Sequence, residues 1–559
     1  MNPLYQLADF CGIETSFEDG IGTQYKLATD CAVSMLRALG IPADDNEDHC
    51  LELLRSAKAE LFNQLVEPVC VIWEDNPVEV PIRIRPRDTD QVLECCITLE
   101  SSEQREWKIK LSELSSPERP SSRTFPDNLS KSLPISPRPP SGYHRLRLSL
   151  SGRNHEASLL CAPRCTYACP TPFDRTWGIF SPLYSLRTER NWGAGDFTDL
   201  KELSDWTRGL GGNMVGTLPL FASCFTGPVA DFSPYLPISR LFWNDFYIDP
   251  RQSPEWEISS EANALANSKA LQSKVDNLRQ NKKVDYAAIY QLKAQLFAAL
   301  AKTFFSKGRD KEDGFQKFLS SRPHLGQYAK FRAVYDHRQT PWPTWPKTLQ
   351  NGDIQPEDYP LEREQVHLYV QWLATKQLAQ AGKSLYLDLP LGIHPQGFDT
   401  WSNRTLFLEG VAAGAPPDKA FPEGQNWTFP PIHPQKLRQS GYRYFIETLR
   451  NVMGASSIVR IDHIMGLHRM YCIPQGDNVS HGTYLRYPAD ELYAILVLES
   501  HRNRTEVIGE DLGTVPAYVR KSMHQHGISR SFVLWFEINP GEPGSLKKIP
   551  ANCLAQLNT

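Results

Sequence analysis

Two short apolar runs that end abruptly in charge limit what this chain can fold into. Ser457-Ile-Val-Arg-Ile-Asp-His463 carries Arg460, Asp462 and His463 at its end, and Glu506-Val-Ile-Gly-Glu-Asp-Leu-Gly513 carries Glu510 and Asp511. Between them, Asp490 to Ser500 places Leu492, Ile495, Leu496 and Glu499 at helical spacing. Strand, helix, strand makes the two runs parallel, so their charged ends share one edge of a sheet. In an α/β barrel that edge carries the chemistry. Two carboxylates there, Asp462 and Glu510, are the equipment of a retaining glycosidase.

The chain around these runs, at 559 residues, is too long for one domain. Residues 1–65 read as helical, with amphipathic patterns from Lys26 and from Leu51. Residues 66–169 read as a small all-β sandwich of short alternating strands: Val69–Trp73, Val80–Ile84, Cys96–Leu99, Trp107–Leu111, His144–Leu150 and Ser158–Cys161. A Pro/Ser-rich stretch from Ser115 to Pro140 reads as a mobile loop within it.

From residue 170 to 559, strands and helices alternate, as in βαβ units. The strands are Trp177–Leu183, Asn213–Leu220, Ser384–Asp388, the Asp462 strand, the Glu510 strand and Arg530–Phe536; a largely helical insertion runs from about 221 to 380. The fold class is therefore α/β, with a TIM-type (β/α)8 barrel as one candidate, preceded by the helical segment and the sandwich. The strand count stops at six, which leaves an open six-stranded sheet or a barrel whose last two βα units lie outside the sequence.

Composition excludes several functions. A net charge of −4 gives no reason to expect nucleic acid or an anionic membrane as partner. No apolar stretch approaches the length of a membrane span, and Met1–Phe10 lacks the basic and apolar regions of a signal peptide, so the expected location is cytoplasmic. The twelve cysteines read mostly as reduced core residues. Cys161, Cys165 and Cys169 match no zinc spacing, and nothing in the sequence asks for a metal or organic cofactor.

Taken alone, Asp462 could equally be a structural partner of Arg460, and pattern cannot choose Glu510 over Asp511. His463 and His394 read as readily as hydrogen-bonded loop histidines, and Tyr235 as a packing residue. Trp342 and Trp345 are better placed to pack the insertion than to hold ligand.

Seven blocks in one order change that balance. They are Trp177–Arg187, Asn191–Leu200, Ser233–Pro237, Asp388–His394, Gly414–Asp418 with Gly424–Trp427, Val459–His463, and Gly509–Gly513. Over roughly residues 170–559 the chain resembles the 4-α-glucanotransferases (amylomaltases, or disproportionating enzymes) of glycoside hydrolase family 77. The resemblance implies transfer of α-1,4-glucan segments between maltooligosaccharides. Asp462 falls where the family has its nucleophile, and Glu510 at the general acid/base. Arg460 matches the arginine two residues before the nucleophile and Asp388 the strand-three aspartate. Tyr235, His463 and His394 would border the sugar, while Asp418 and Trp427 lie on a loop that overhangs the cleft. The family's third carboxylate, in a His-Asp pair after strand seven, has no counterpart, and Leu557-Asn-Thr559 resembles the residues just before it.

Retention would proceed by two displacements between carboxyl groups about 5–5.5 Å apart. Asp462 attacks the anomeric carbon while Glu510 protonates the leaving oxygen, and the 4-hydroxyl of a second glucan then takes the place of water. The alternatives are a hydrolase on the same scaffold, or a glucan-binding protein without turnover if the third carboxylate is truly absent.

Overall fold

The computed structural model describes residues 2–116, 129–170, 175–538 and 548–557. The chain divides into two compact units: one comprises Met1–Ala168, Thr405–Leu449 and His463–Thr559, the other Cys169–Arg404 and Arg450–Asp462.

In the first unit, the helices Pro3–Phe10, Thr29–Ala38 and Glu47–Phe62 precede a five-stranded sheet ordered Val69–Trp73, Arg153–Ala162, Gly142–Leu150, Val92–Thr98, Gln104–Lys110. Strict alternation builds it. His144, Leu146, Leu148 and Leu150 are buried, while Arg145 and Arg147 face water. With Val80, Ile82, Leu93, Ile97 and Leu159, the three leucines form one apolar core. The expected loop Ser115–Pro140 is corrected in part: Leu129–Pro134 is a strand antiparallel to Glu79–Ile84. Its serines, lysine and terminal proline carry little strand preference, so the partner strand imposes the conformation. Residues 117–128 of that stretch lie outside the described residues.

The same unit holds three parallel strands, Glu506–Gly509, Ser529–Val533 and Cys553–Gln556. The last is a second correction, because the sequence reading ended at the sixth strand. Four residues without alternation leave no period to detect; parallel pairing of Arg530–Val533 with Cys553–Gln556 makes the strand. An antiparallel sheet ordered Gln425–Asn426, Val411–Ala415, Arg469–Pro474, Thr483–Arg486 was likewise invisible in the pattern. The helix Ala489–Asn503 is buried from Glu491 through Ser500, far beyond one stripe. Sandwich strands Val69–Trp73 and Arg153–Ala162 pack against it. Tyr143 Oη donates to Glu499 Oε1 at 2.8 Å, and Trp73 Nε1 to Asp490 Oδ1 at 3.0 Å.

The second unit is built on four parallel strands in the order Gly178–Phe180, Met214–Gly216, Leu385–Leu389, Ile458–Ile461. Helix Phe197–Gly209 connects the first two, and among the described residues the insertion supplies seven more, Ser260–Ala266, Lys269–Gln280, Tyr286–Ser306, Asp313–Ser321, Leu325–Arg338, Lys347–Gln350 and Leu361–Gln380. The block Asn191–Leu200 proves to be architecture. Asp196 caps the helix by accepting from the amides of Thr198 and Asp199 at 3.0 Å each, while Arg190 pairs with Asp196, Asp199 and Asp249. No helix among the described residues is long and apolar enough to cross a membrane.

Candidate active site

In the second unit, parallel register sets Asp388 beside Arg460, so two opposite charges on neighbouring strands face the same way. Arg460 Nη1 donates to Asp388 Oδ1 and Oδ2 at 2.8 and 2.9 Å and to Asp462 Oδ1 at 3.0 Å. Tyr235, delivered by the Ser233-Pro234 turn, donates its hydroxyl to Asp388 Oδ2 at 2.7 Å. Ser233 is itself held by Asp231, whose Oδ1 accepts from the Ser233 amide at 2.7 Å.

The two carboxylates sharing Arg460 differ in what else surrounds them. Asp388 is 4 % exposed at its side chain and Asp462 22 %. Burial pushes the Asp388 carboxyl up to about 6, against the pull of Arg460 and with help from the Asp462 charge. Asp462 keeps one oxygen on Arg460 and the other 3.4 Å from the Leu391 amide, at the end of its strand. A partly open carboxylate held on both sides and backed by a fixed cation has the geometry of a nucleophile. Burial and then the Asp388 charge raise the Tyr235 phenol, which stays a neutral donor.

In the first unit, Gly509 precedes Glu510 because a Cβ there would lie 2.7 Å from Met523 Cε and 3.1 Å from Ile464 Cγ1. Glu510 Oε2 accepts from the His463 amide at 2.9 Å and Oε1 from the Leu512 amide at 2.7 Å. His463, the residue after Asp462 in the chain, has left-handed backbone (φ 48°, ψ 61°), which few non-glycine residues adopt. Its ring meets Trp427 edge-on at 5.0 Å, and Trp427 stacks on Phe429 at 6.0 Å. Asp511 has a different occupation. Its Oδ2 accepts from Arg520 Nε at 2.9 Å and Arg530 Nε at 2.6 Å, and its side chain is fully buried. Asp511 is thus engaged by arginine side chains, whereas Glu510 accepts from the His463 and Leu512 amides.

Of the residues singled out in the sequence, one unit gathers Tyr235, Asp388, Arg460 and Asp462, and the other Glu510, His463 and Trp427. Two stand apart from these groups. Asp418 Oδ1 accepts from the amides of Ala420 and Phe421 at 2.8 and 2.6 Å, shaping its own turn. His394 Nδ1 accepts from the Gln396 amide at 3.1 Å, and burial lowers its pKa. The sequence could not single out the Leu391 and Leu512 amides, because a main-chain donor leaves no trace in residue type. Tyr235 as a partner of Asp388 was also missed, since 153 positions separate the two.

Each unit thus carries carboxylates at the carboxyl ends of its parallel strands, and one of them an arginine shared between two; such strand ends are the equipment of a carbohydrate-active enzyme of the α/β-barrel class. The chain belongs to the 4-alpha-glucanotransferase family, glycoside hydrolase family 77, whose pattern it matches over residues 181–559. Residues 65–163 match the MalQ N-terminal beta sandwich domain. It is 29 % identical to the 4-alpha-glucanotransferase of Mycobacterium tuberculosis over 586 residues, covering all of this chain and 79 % of that one. The Haemophilus influenzae 4-alpha-glucanotransferase is 33 % identical over 451 residues, 75 % of this chain and 64 % of the relative. The crystal structure of amylomaltase from Corynebacterium glutamicum superposes with a TM-score of 0.83 at 27 % identity, covering 100 % of this chain and 79 % of that one. The fold is accordingly a TIM-type barrel with an N-terminal β domain, and the family's enzymes transfer α-1,4-glucan segments.

Proposed function

We propose that this chain moves α-1,4-glucan segments from a maltooligosaccharide donor to the 4-hydroxyl of another glucan, with Asp462 as nucleophile and Glu510 as general acid/base. Asp462 attacks the anomeric carbon as protonated Glu510 gives its proton to the departing 4-oxygen. The glucosyl ester formed on Asp462 is then opened by the acceptor hydroxyl, whose proton returns to Glu510. Arg460 keeps Asp462 aligned. Asp388, with Tyr235, holds Arg460 and borders the sugar; His463, Trp427, His394 and Asp418 flank the glucan. We assign residues 1–65 as a helical segment interrupted by the short hairpin of Ser16–Glu18 and Gln24–Lys26, 66–169 as a sandwich and 170–559 as the catalytic barrel with its insertion at about 221–380. A reducing, cytoplasmic setting fits the twelve free cysteines, seven of them buried.

The observation that carries the reading is the Asp462 carboxylate, open to the strand end yet held by Arg460 and the Leu391 amide. Incubation with maltotriose should produce glucose together with maltooligosaccharides longer than the donor. Glucose and maltose without longer products would instead point to hydrolysis. Asp462→Asn is expected to lower turnover by at least ~10³-fold with its circular dichroism unchanged, as removal of a nucleophile does elsewhere.

A further inference from the structure

A hairpin near the N-terminus reaches two loops of the first unit, the Pro417-Asp418 turn and the Leu512–Thr514 loop. Strands Ser16–Glu18 and Gln24–Lys26 pair antiparallel. The turn between them is rigid: Asp19 Oδ1 accepts from the amides of Ile21 and Thr23 at 2.8 Å each, and the Asp19 amide donates to Thr23 O at 3.0 Å. Behind the turn, Phe17 stacks on Tyr25 at 5.2 Å and meets the edges of Tyr471 at 5.5 Å and Tyr484 at 5.3 Å. At the root, Glu14 pairs with Arg469 at 2.7 Å, and its amide donates to Tyr484 O at 2.8 Å. The hairpin is thus anchored on the antiparallel sheet that also carries Val411–Ala415.

At the tip, the Gly20 amide donates to Pro417 O at 3.1 Å. A Cβ on Gly20 would lie 2.6 Å from Asp418 Cβ, 3.1 Å from Asp418 Cα, and closer still to Thr514 Oγ1. Gly20 does not adopt the left-handed backbone, so it is there for space and not for conformational freedom. The notch it fills is made by two segments distant in sequence. One is the Pro417-Asp418 turn, on the segment that leads to Trp427; the other is the Leu512–Thr514 loop, whose Leu512 amide holds Glu510.

We propose that the hairpin Ser16–Lys26 is a clip that sets the spacing between the Pro417-Asp418 turn and the Glu510 loop, and with it the glucan-length preference of the enzyme. Gly20 is its positioning residue. The inference rests on the reading that the Asp418 arm borders the glucan. A side chain at Gly20 pries the two segments apart, whereas loss of the Asp19 carboxylate lets the turn go slack without adding bulk.

The test uses the full chain and two variants, Gly20→Val and Asp19→Ala, with maltotriose and maltoheptaose as donors. Both variants are expected to raise KM for maltotriose ~3- to 10-fold while kcat stays within about twofold, the mark of lost binding and not lost chemistry. Maltoheptaose should suffer less, because further subsites hold it. Unchanged KM for both donors in both variants would overturn the clip. Hydrogen exchange, read on wild type against Asp19→Ala, tests the contact without relying on activity. The amides of 417–424 and of 512–515 should exchange faster together, and protection unchanged in 512–515 would also overturn it. A wild-type chain without transfer would refute the proposed function while leaving the exchange result to judge the hairpin.

Discussion

Asp462 and Glu510 differ from their acidic neighbours in what their oxygens already do. Asp511 spends one oxygen on two arginines, and Asp388 is enclosed by Arg460 and Tyr235. The pairs should therefore separate in experiment. Glu510→Gln is expected to cost ~10²- to 10⁴-fold in kcat, the range for a lost general acid/base, with stability near wild type. Asp511→Ala should instead lower unfolding stability by about 2 kcal/mol. That is below the ~3–5 kcal/mol of a fully buried pair, because Arg520 and Arg530 remain 41 % and 34 % exposed. Urea titration alongside maltotriose turnover distinguishes the two.

Asp388 offers a pH test at the same scale. Its carboxyl titrates near 6, held up by burial and by the Asp462 charge. Between roughly pH 4, where a free aspartate titrates, and about 6, the native protein holds a proton that the unfolded chain has lost. The contribution of this group to stability is therefore present at low pH and lost as pH rises through about 6. Below that value Asp388 is neutral and grips Arg460 less, so kcat/KM should fall along an acid limb near pH 6. In Asp388→Asn that limb should move to lower pH. An unmoved limb would assign it elsewhere.

At the scale of elements, the start of helix Phe197–Gly209 concentrates several obligations on a few residues. Asp196 caps two amides and pairs with Arg190, and Asn191 Nδ2 donates to Asp199 Oδ2 at 3.0 Å. Asp196→Ala should cost ~1–2 kcal/mol for the cap alone, and more for the Arg190 charge left with one fewer partner. The midpoint of urea unfolding should drop with its slope unchanged. The block Asn191–Leu200 is thus a device of folding, although in sequence it looks as functional as the block around Asp462. Spacing shows that residues belong together but not whether they hold each other or a ligand.

At the scale of the whole molecule, the N-terminal residues are part of the fold that presents Glu510. Helix Ala489–Asn503, leading into the Glu510 strand, buries its second face under Val69–Trp73 and Arg153–Ala162. Arg438 joins Glu67 of the N-terminal part at 3.2 Å to Glu491 of that helix at 2.8 Å. A chain cut to residues 170–559 would expose the apolar outer face of the helix and leave Glu499 without Tyr143. It is expected to elute from size exclusion as aggregate, where the full chain gives a discrete peak. A soluble, active 170–559 fragment would show that the helix does not need this cover.

Sequence alone determined that Asp462 and Glu510 each follow a strand, because an apolar run that stops in charge is a local property. It also determined the sandwich, whose alternation is written residue by residue. It could not show that Arg460 is shared with Asp388, which depends on register between strands some 70 residues apart. Nor could it choose Glu510 over Asp511, whose fates are decided by Arg520, Arg530 and the His463 amide. The strand Cys553–Gln556 and the notch at Gly20 belong to the same class. Periodicity reports what a residue prefers to face; which distant atom it faces is settled only when the elements pack.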